Sequence, residues 1–139
     1  MIQRIQSVWL LFASACAFLT LKLSFYTGIQ LNDANRLLVP LNSTTTIPIV
    51  TTAVAVGIAS LVTIFLYKDR KMQMKIVFAT FAASILLIFL YFSYKNTNYA
   101  EGSYDITAPV VFLIPIFLLF AIRAIYKDEK LIKSADRLR

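Results

Sequence analysis

Four long apolar runs alternate with short polar stretches along the chain. Val8 to Leu21 carries no charge, and Lys22 is followed by a further apolar tail ending in Phe25 and Tyr26. The pattern predicts a helix over residues 5–25, because a membrane span needs about 20 apolar residues and a lysine at its end can snorkel to the head groups. Thr27 to Thr45 is more polar, with Gly28 and Pro40 as turn residues. A second helix is predicted over 46–67, with Thr46 placed to cap it and Pro48 in the first turn, where its missing N–H costs nothing. A third is predicted over 75–94, closing in Tyr91, Phe92 and Tyr94, the amphipathic rings that favour a membrane interface. The fourth, over 107–126, opens with Pro109 in its first turn and Asp105 near the positive end of its dipole. Pro115 inside it predicts a kink, or a carbonyl near Val111 satisfied by a neighbour.

Composition strengthens this picture. Hydrophobic residues make up 59% of the 139 positions, and the mean hydropathy is +0.73. A soluble domain, about half apolar, has no place for that much greasy surface. The expectation is an all-α integral membrane protein: a single domain, 1–139, built as a four-transmembrane-helix bundle.

The net charge of +7 refines the orientation and does not suggest nucleic acid, because the cations lie between and after apolar runs and no basic soluble domain is present. Arg4, Lys68, Arg70, Lys71, Lys75, Arg123, Lys127, Lys130, Lys133, Arg137 and Arg139 share one side of a four-span arrangement, against Lys22, Arg36 and Lys95 on the other. The positive-inside rule then places both termini in the cytoplasm. Shifting a span to bring one of these cations to mid-bilayer would cost about 2.5–3.5 kcal/mol.

Close helix packing in lipid depends on small residues. Ala13 and Ala17, Ala53 and Gly57, and Ala79 and Ala83 each have small-xxx-small spacing, and Thr80 and Ser84 extend the third patch. The segment 127–139 reads as a basic amphipathic helix on the cytoplasmic side, with Leu131, Ala135 and Leu138 on one stripe, Ile132 beside it, and a favourable Glu129–Lys133 pair. It continues the fourth helix or lies on the inner leaflet. The outer segments 22–45 and 95–105 lie together in this arrangement, but neither alternates strongly enough to establish strands.

At the N-terminus, Ala13-Ser14-Ala15-Cys16 resembles a lipoprotein processing site, and Arg4 with the apolar run resembles a signal peptide. The run continues well past Cys16, which favours an uncleaved helix with a small buried cysteine. Asn42-Ser43-Thr44 fits a glycosylation sequon too short to carry weight.

The opening Met1–Val8, the hairpin Tyr67–Gln73 and the ending Arg123–Arg139 resemble those of an uncharacterised family of small four-span bacterial inner-membrane proteins, a domain of unknown function. The resemblance spans essentially the whole chain. It implies fold, size and a bacterial inner-membrane location, and brings no activity and no catalytic residues.

The residue inventory narrows the chemistry. With no histidine and one cysteine, bis-histidine haem, histidine-ligated metal, Ser-His and Cys-His nucleophiles and intramolecular disulfides are excluded. No carboxylate falls within a predicted span, as proton-coupled transport would require, and no glycine-rich phosphate loop is present. The reading is a non-catalytic accessory protein without cofactors. It presents Lys68, Arg70, Lys71 and Lys75 of the hairpin and Lys130, Lys133 and Arg137 of the tail to anionic inner-leaflet lipid or to a membrane or cytoplasmic protein partner. The alternative is a small oligomeric transporter or channel with a pore lined by Thr51, Thr52, Ser60 and Thr63, although these do not share one clean helical face.

Overall fold

The computed structural model describes residues 3–31, 37–66 and 69–136, with the backbone alone described at 3, 4, 133, 135 and 136. Among the described residues there are four α-helices: α1 (Gln3–Leu19), α2 (Ile47–Phe65), α3 (Arg70–Asn98) and α4 (Pro109–Asp136). The last three are long and apolar enough to cross a membrane, and α1 is a shorter apolar helix. Each helix packs on two neighbours, α1 and α3 both lying against α2 and α4. Large apolar side chains cover the outward faces, among them Leu11, Phe12, Phe65, Phe89 and Leu119.

Small residues set the approach of α1 to α2, as their spacing predicts. Ala13, Ala17, Ala53 and Gly57 are all buried, and Ser14 Oγ donates to the Gly57 carbonyl at 3.1 Å. On α3 the expectation needs correcting. Ala79 faces outward, and Thr80 and Ser84 occupy the packed face, their hydroxyls donating to the Ile76 and Phe81 carbonyls. In this way they enter the packed face without leaving a polar group unmet.

The expectation of an all-α chain also needs correction. β1 (Ser24–Gln30), β2 (Leu38–Asn42) and β3 (Tyr99–Tyr104) form an antiparallel sheet in the order β2-β1-β3. Two polar segments far apart in sequence thus satisfy each other's backbone. β1 takes the centre, and Pro40, which cannot donate to a ladder, sits on edge strand β2 opposite Thr27. Gly28 faces Gly102 across β1 and β3, and the Tyr26 ring lies so close to both that a Cβ at either would strike it. The sheet shortens the first helix, expected over 5–25. The chain leaves α1 through a tight turn, in which the Leu21 and Lys22 amides bond the Phe18 and Leu19 carbonyls, and it is extended from Ser24.

Other helix limits differ more modestly. Thr46 occupies the N-cap of α2 but makes no side-chain cap bond. α3 is longer at both ends than the 75–94 expected. α4 runs unbroken past Pro115 to Asp136, so the segment from Lys127 to Asp136 is the end of this helix and not a separate one.

The core runs the length of the helices. Under the sheet, Phe25 fills the space between α3 and α4, its ring 4.7 Å from that of Tyr91 and 5.6 Å from that of Phe92. Beside it runs a chain of buried hydroxyls. Thr20 Oγ1 donates to the Ala17 carbonyl at 2.7 Å, and Ser43 Oγ donates to Thr20 at 3.1 Å. Because Ser43 has spent its one proton there, the Tyr91 hydroxyl is the donor to Ser43. The chain joins α1, the short 3-10 turn after β2, and α3.

Candidate functional site

The two ends of the helical body differ in chemistry. The Phe92–Phe112 ring contact sets α3 antiparallel to α4, so the start of α3 and the last turns of α4 share the end farther from the sheet. Most of the cations singled out from sequence gather there. Lys71 and Lys75 on α3 and Lys130 on α4 are exposed, as are Arg123 and Lys127. Arg70 opens α3 half-buried, with Nη1 enclosed and without a hydrogen-bond partner among the described residues. Lys133 belongs to α4, but its side chain lies outside the described residues, as do Lys68 and Arg137 altogether.

Beneath this basic rim the inward stripes of all four helices end in polar residues: Gln6, Thr63, Gln73 and Asp128 are buried. Gln73 Nε2 donates to the Thr63 carbonyl at 3.1 Å, while Gln73 Oε1 and Asp128 Oδ1 have no hydrogen-bond partner among the described residues. The sequence pattern placed Leu131 on the apolar stripe of the tail. The structure instead carries the stripe from Ala121 and Ile125 to Asp128 and leaves Leu131 exposed. The threonines and serine of the proposed pore also separate. Ser60 and Thr63 are buried and bond the Val56 and Ala59 carbonyls, whereas Thr51 and Thr52 bond the Pro48 carbonyl near the sheet end.

At the sheet end, sequence reasoning missed an aromatic site altogether. Lys95, in the last turn of α3, sits over two tyrosines, its Nζ 5.1 Å from the Tyr26 ring centroid and 5.0 Å from that of Tyr104. It donates to the Tyr104 hydroxyl at 3.1 Å. Next to Tyr104, the Asp105 carboxylate accepts from Thr27 Oγ1 at 2.9 Å, and the Asp105 amide bonds the Phe25 carbonyl. Below them a groove of about 480 Å³ opens between α3 and α4, lined by Phe92, Tyr104, Asp105, Ala108, Pro109 and Phe112. The one sequence signal for this site was the recurrence of tyrosine in both outer segments, at 26 and at 99 and 104. Tyr99 is buried, its hydroxyl unpartnered among the described residues, and burial, with Tyr94 nearby, pushes that hydroxyl above its ordinary range of ionisation.

Among the described residues, no three His, Cys, Asp or Glu side chains come together to hold an ion. The arrangement offers cations, aromatic faces and apolar grooves, the chemistry of amphiphile recognition. No curated protein and no solved structure matches the chain. A family model does, over residues 2–138, and the chain belongs to that family, the domain of unknown function DUF4293.

Proposed function

We propose that this is a four-span protein of the bacterial inner membrane, with both termini in the cytoplasm. It serves as a non-catalytic accessory protein whose basic end engages the anionic inner leaflet. The observation that carries the reading is the segregation of exposed Lys71, Lys75, Arg123, Lys127 and Lys130 to the end opposite the sheet, with apolar outward faces in between. Each cation held near an anionic leaflet contributes about 1 kcal/mol. Five of them at one end outweigh what a lone surface charge can do.

The test is lipid retention by the purified protein. Anionic phospholipid is expected to co-purify in excess over its share of the source membrane. The Lys71→Glu, Lys75→Glu, Lys130→Glu triple variant should lose that excess while keeping its helical circular dichroism. Equal retention by the two proteins would overturn the reading.

A protein partner at the tail is the second reading, favoured by Leu131 and Ile132, which remain exposed on the final turns of α4 beside Lys130. A Leu131→Ser, Ile132→Ser variant should then release a stoichiometric partner from mild-detergent extracts without changing the bound lipid. If no partner co-purifies with the unaltered protein, the second reading falls.

A further inference from the structure

We propose that the groove between α3 and α4 beneath β3 is the seat of one phospholipid whose head group carries both a phosphate and a primary ammonium. An acyl chain lies in the groove, the ammonium on Asp105 and the phosphate on Lys95. This rests on the membrane reading above, which sets the sheet end at the outer interface of the bilayer.

Three observations converge on this occupant. The groove has the size of a small-molecule site, and its lining is apolar except at Tyr104 and Asp105. A purely polar ligand therefore finds too few partners inside, whereas a hydrocarbon chain meets Phe92, Ala108, Pro109 and Phe112.

Two residues of the lining bring opposite charges to the groove. Tyr104 carries the ammonium of Lys95 at its hydroxyl and ring, and Asp105, next to it in the chain, supplies a carboxylate. Neither forms an ion pair among the described residues. Lys95 meets only the tyrosines, and Asp105 receives one neutral hydroxyl. A head group with one anionic and one cationic centre completes both; a purely anionic head group completes Lys95 alone and places its negative charge near Asp105.

The site is also held in position. Thr27 on β1 fixes the carboxylate, and two tyrosine faces hold the ammonium of Lys95 near the rim, so little side-chain freedom remains to be lost on binding. A primary ammonium donates hydrogen bonds to a carboxylate and a quaternary one cannot, which selects ethanolamine-type over choline-type head groups.

Native mass spectrometry of the delipidated protein in detergent tests the proposal, with phosphatidylethanolamine, phosphatidylglycerol and phosphatidylcholine of matched chain length offered at equal concentration. The ethanolamine lipid should be retained about tenfold over the other two, the size expected of one charge-assisted hydrogen bond. Asp105→Asn should erase that preference and leave phosphatidylglycerol binding unchanged or improved. Lys95→Gln should weaken all three lipids alike, because the phosphate is common to them. Phe112→Trp should fill the groove and reduce binding of every class at this site. Asp105 and Lys95 lie at the rim, so their variants keep the test open where Phe112→Trp fails to fold. Equal retention of the three lipids by the unaltered protein, or a preference that survives Asp105→Asn, overturns the proposal. Failure of the membrane reading would show differently, as recovery of the protein in the aqueous fraction without detergent.

Discussion

The Tyr91 hydroxyl donates to the Ser43 hydroxyl across 48 positions of sequence, at a point where both residues are sealed from solvent. Three hydroxyls in series, Tyr91, Ser43 and Thr20, end on the Ala17 carbonyl, and each donates once. Tyr91→Phe removes the first donor and leaves Ser43 with an unfilled acceptor. A destabilisation of about 1–3 kcal/mol is expected, read by thermal unfolding in detergent. Ser43→Ala should cost a similar amount. The double variant should cost less than the sum, since a bond whose two ends are both removed leaves less behind unsatisfied. Strict additivity would show that the two hydroxyls do not act as a unit.

The glycines at 57 and 102 predict opposite outcomes for one added methyl group. At Gly57 a Cβ would come within 2.9 Å of the far end of the Phe18 ring, and Phe18 is 37% exposed and free to turn. Gly57→Ala should change stability by less than about 1 kcal/mol, because the gain in helix propensity offsets the contact. At Gly102 the new atom would strike the backbone of Thr27 and Gly28, and a backbone in the centre of a sheet cannot step aside. Gly102→Ala should cost about 1–3 kcal/mol and loosen β3 from β1, visible as faster amide exchange in both strands.

Tyr99 predicts a pH dependence of defined sign. Its hydroxyl is held protonated by burial, so the unfolded chain gives up that proton first. Its contribution to stability is constant below about pH 10 and is lost as the pH rises beyond that value. Tyr99→Phe should flatten this alkaline decline. At neutral pH it should be neutral or stabilising by about 1 kcal/mol, because the hydroxyl it removes has no partner. A variant that melts markedly lower at pH 7 would contradict the unpartnered geometry.

Orientation is read by chemical labelling. In a Cys16→Ser background, the exposed positions Lys71 and Ser103 can each be replaced by cysteine and challenged with a membrane-impermeant maleimide. Ser103→Cys should react in intact cells and Lys71→Cys only in inverted vesicles. The reverse pattern would turn the proposed topology over.

The helices were legible because their apolar runs are long and uninterrupted, a local property that survives without knowledge of partners. The sheet was not, because its logic is non-local. Gly28 reads as a turn residue until Gly102 is placed opposite it, and Phe25 and Tyr26 read as the end of the helix before them. Pairing across so many residues leaves no trace in either segment alone. The same holds for the face of α3. Small-residue spacing marked Ala79 and Ala83 together with Thr80 and Ser84, and the choice between the two stripes depends on where α2 and α4 sit. Of the residues that charge patterning singled out, Lys71, Lys75 and Lys130 lie exposed at one end. From sequence Lys95 reads only as an outer cation and Asp105 only as a charge before the fourth helix, because neither segment alone shows Tyr104 meeting both.

The brevity of α1 has a consequence for the surrounding lipid. Its 17 described residues rise about 25 Å, whereas a hydrocarbon core is about 30 Å thick. With the chain set in a bilayer as proposed, the leaflet on the sheet side meets a step: α3, at 29 residues, stands well above the point where α1 stops. Lipid beside α1 must thin to meet it, or the first residues of β1 lie at hydrocarbon depth. Bare backbone is not tolerated at that depth, and β1 enters it already paired on both edges. The sheet is then what allows α1 to stop at Leu19, short of the level that α3 reaches.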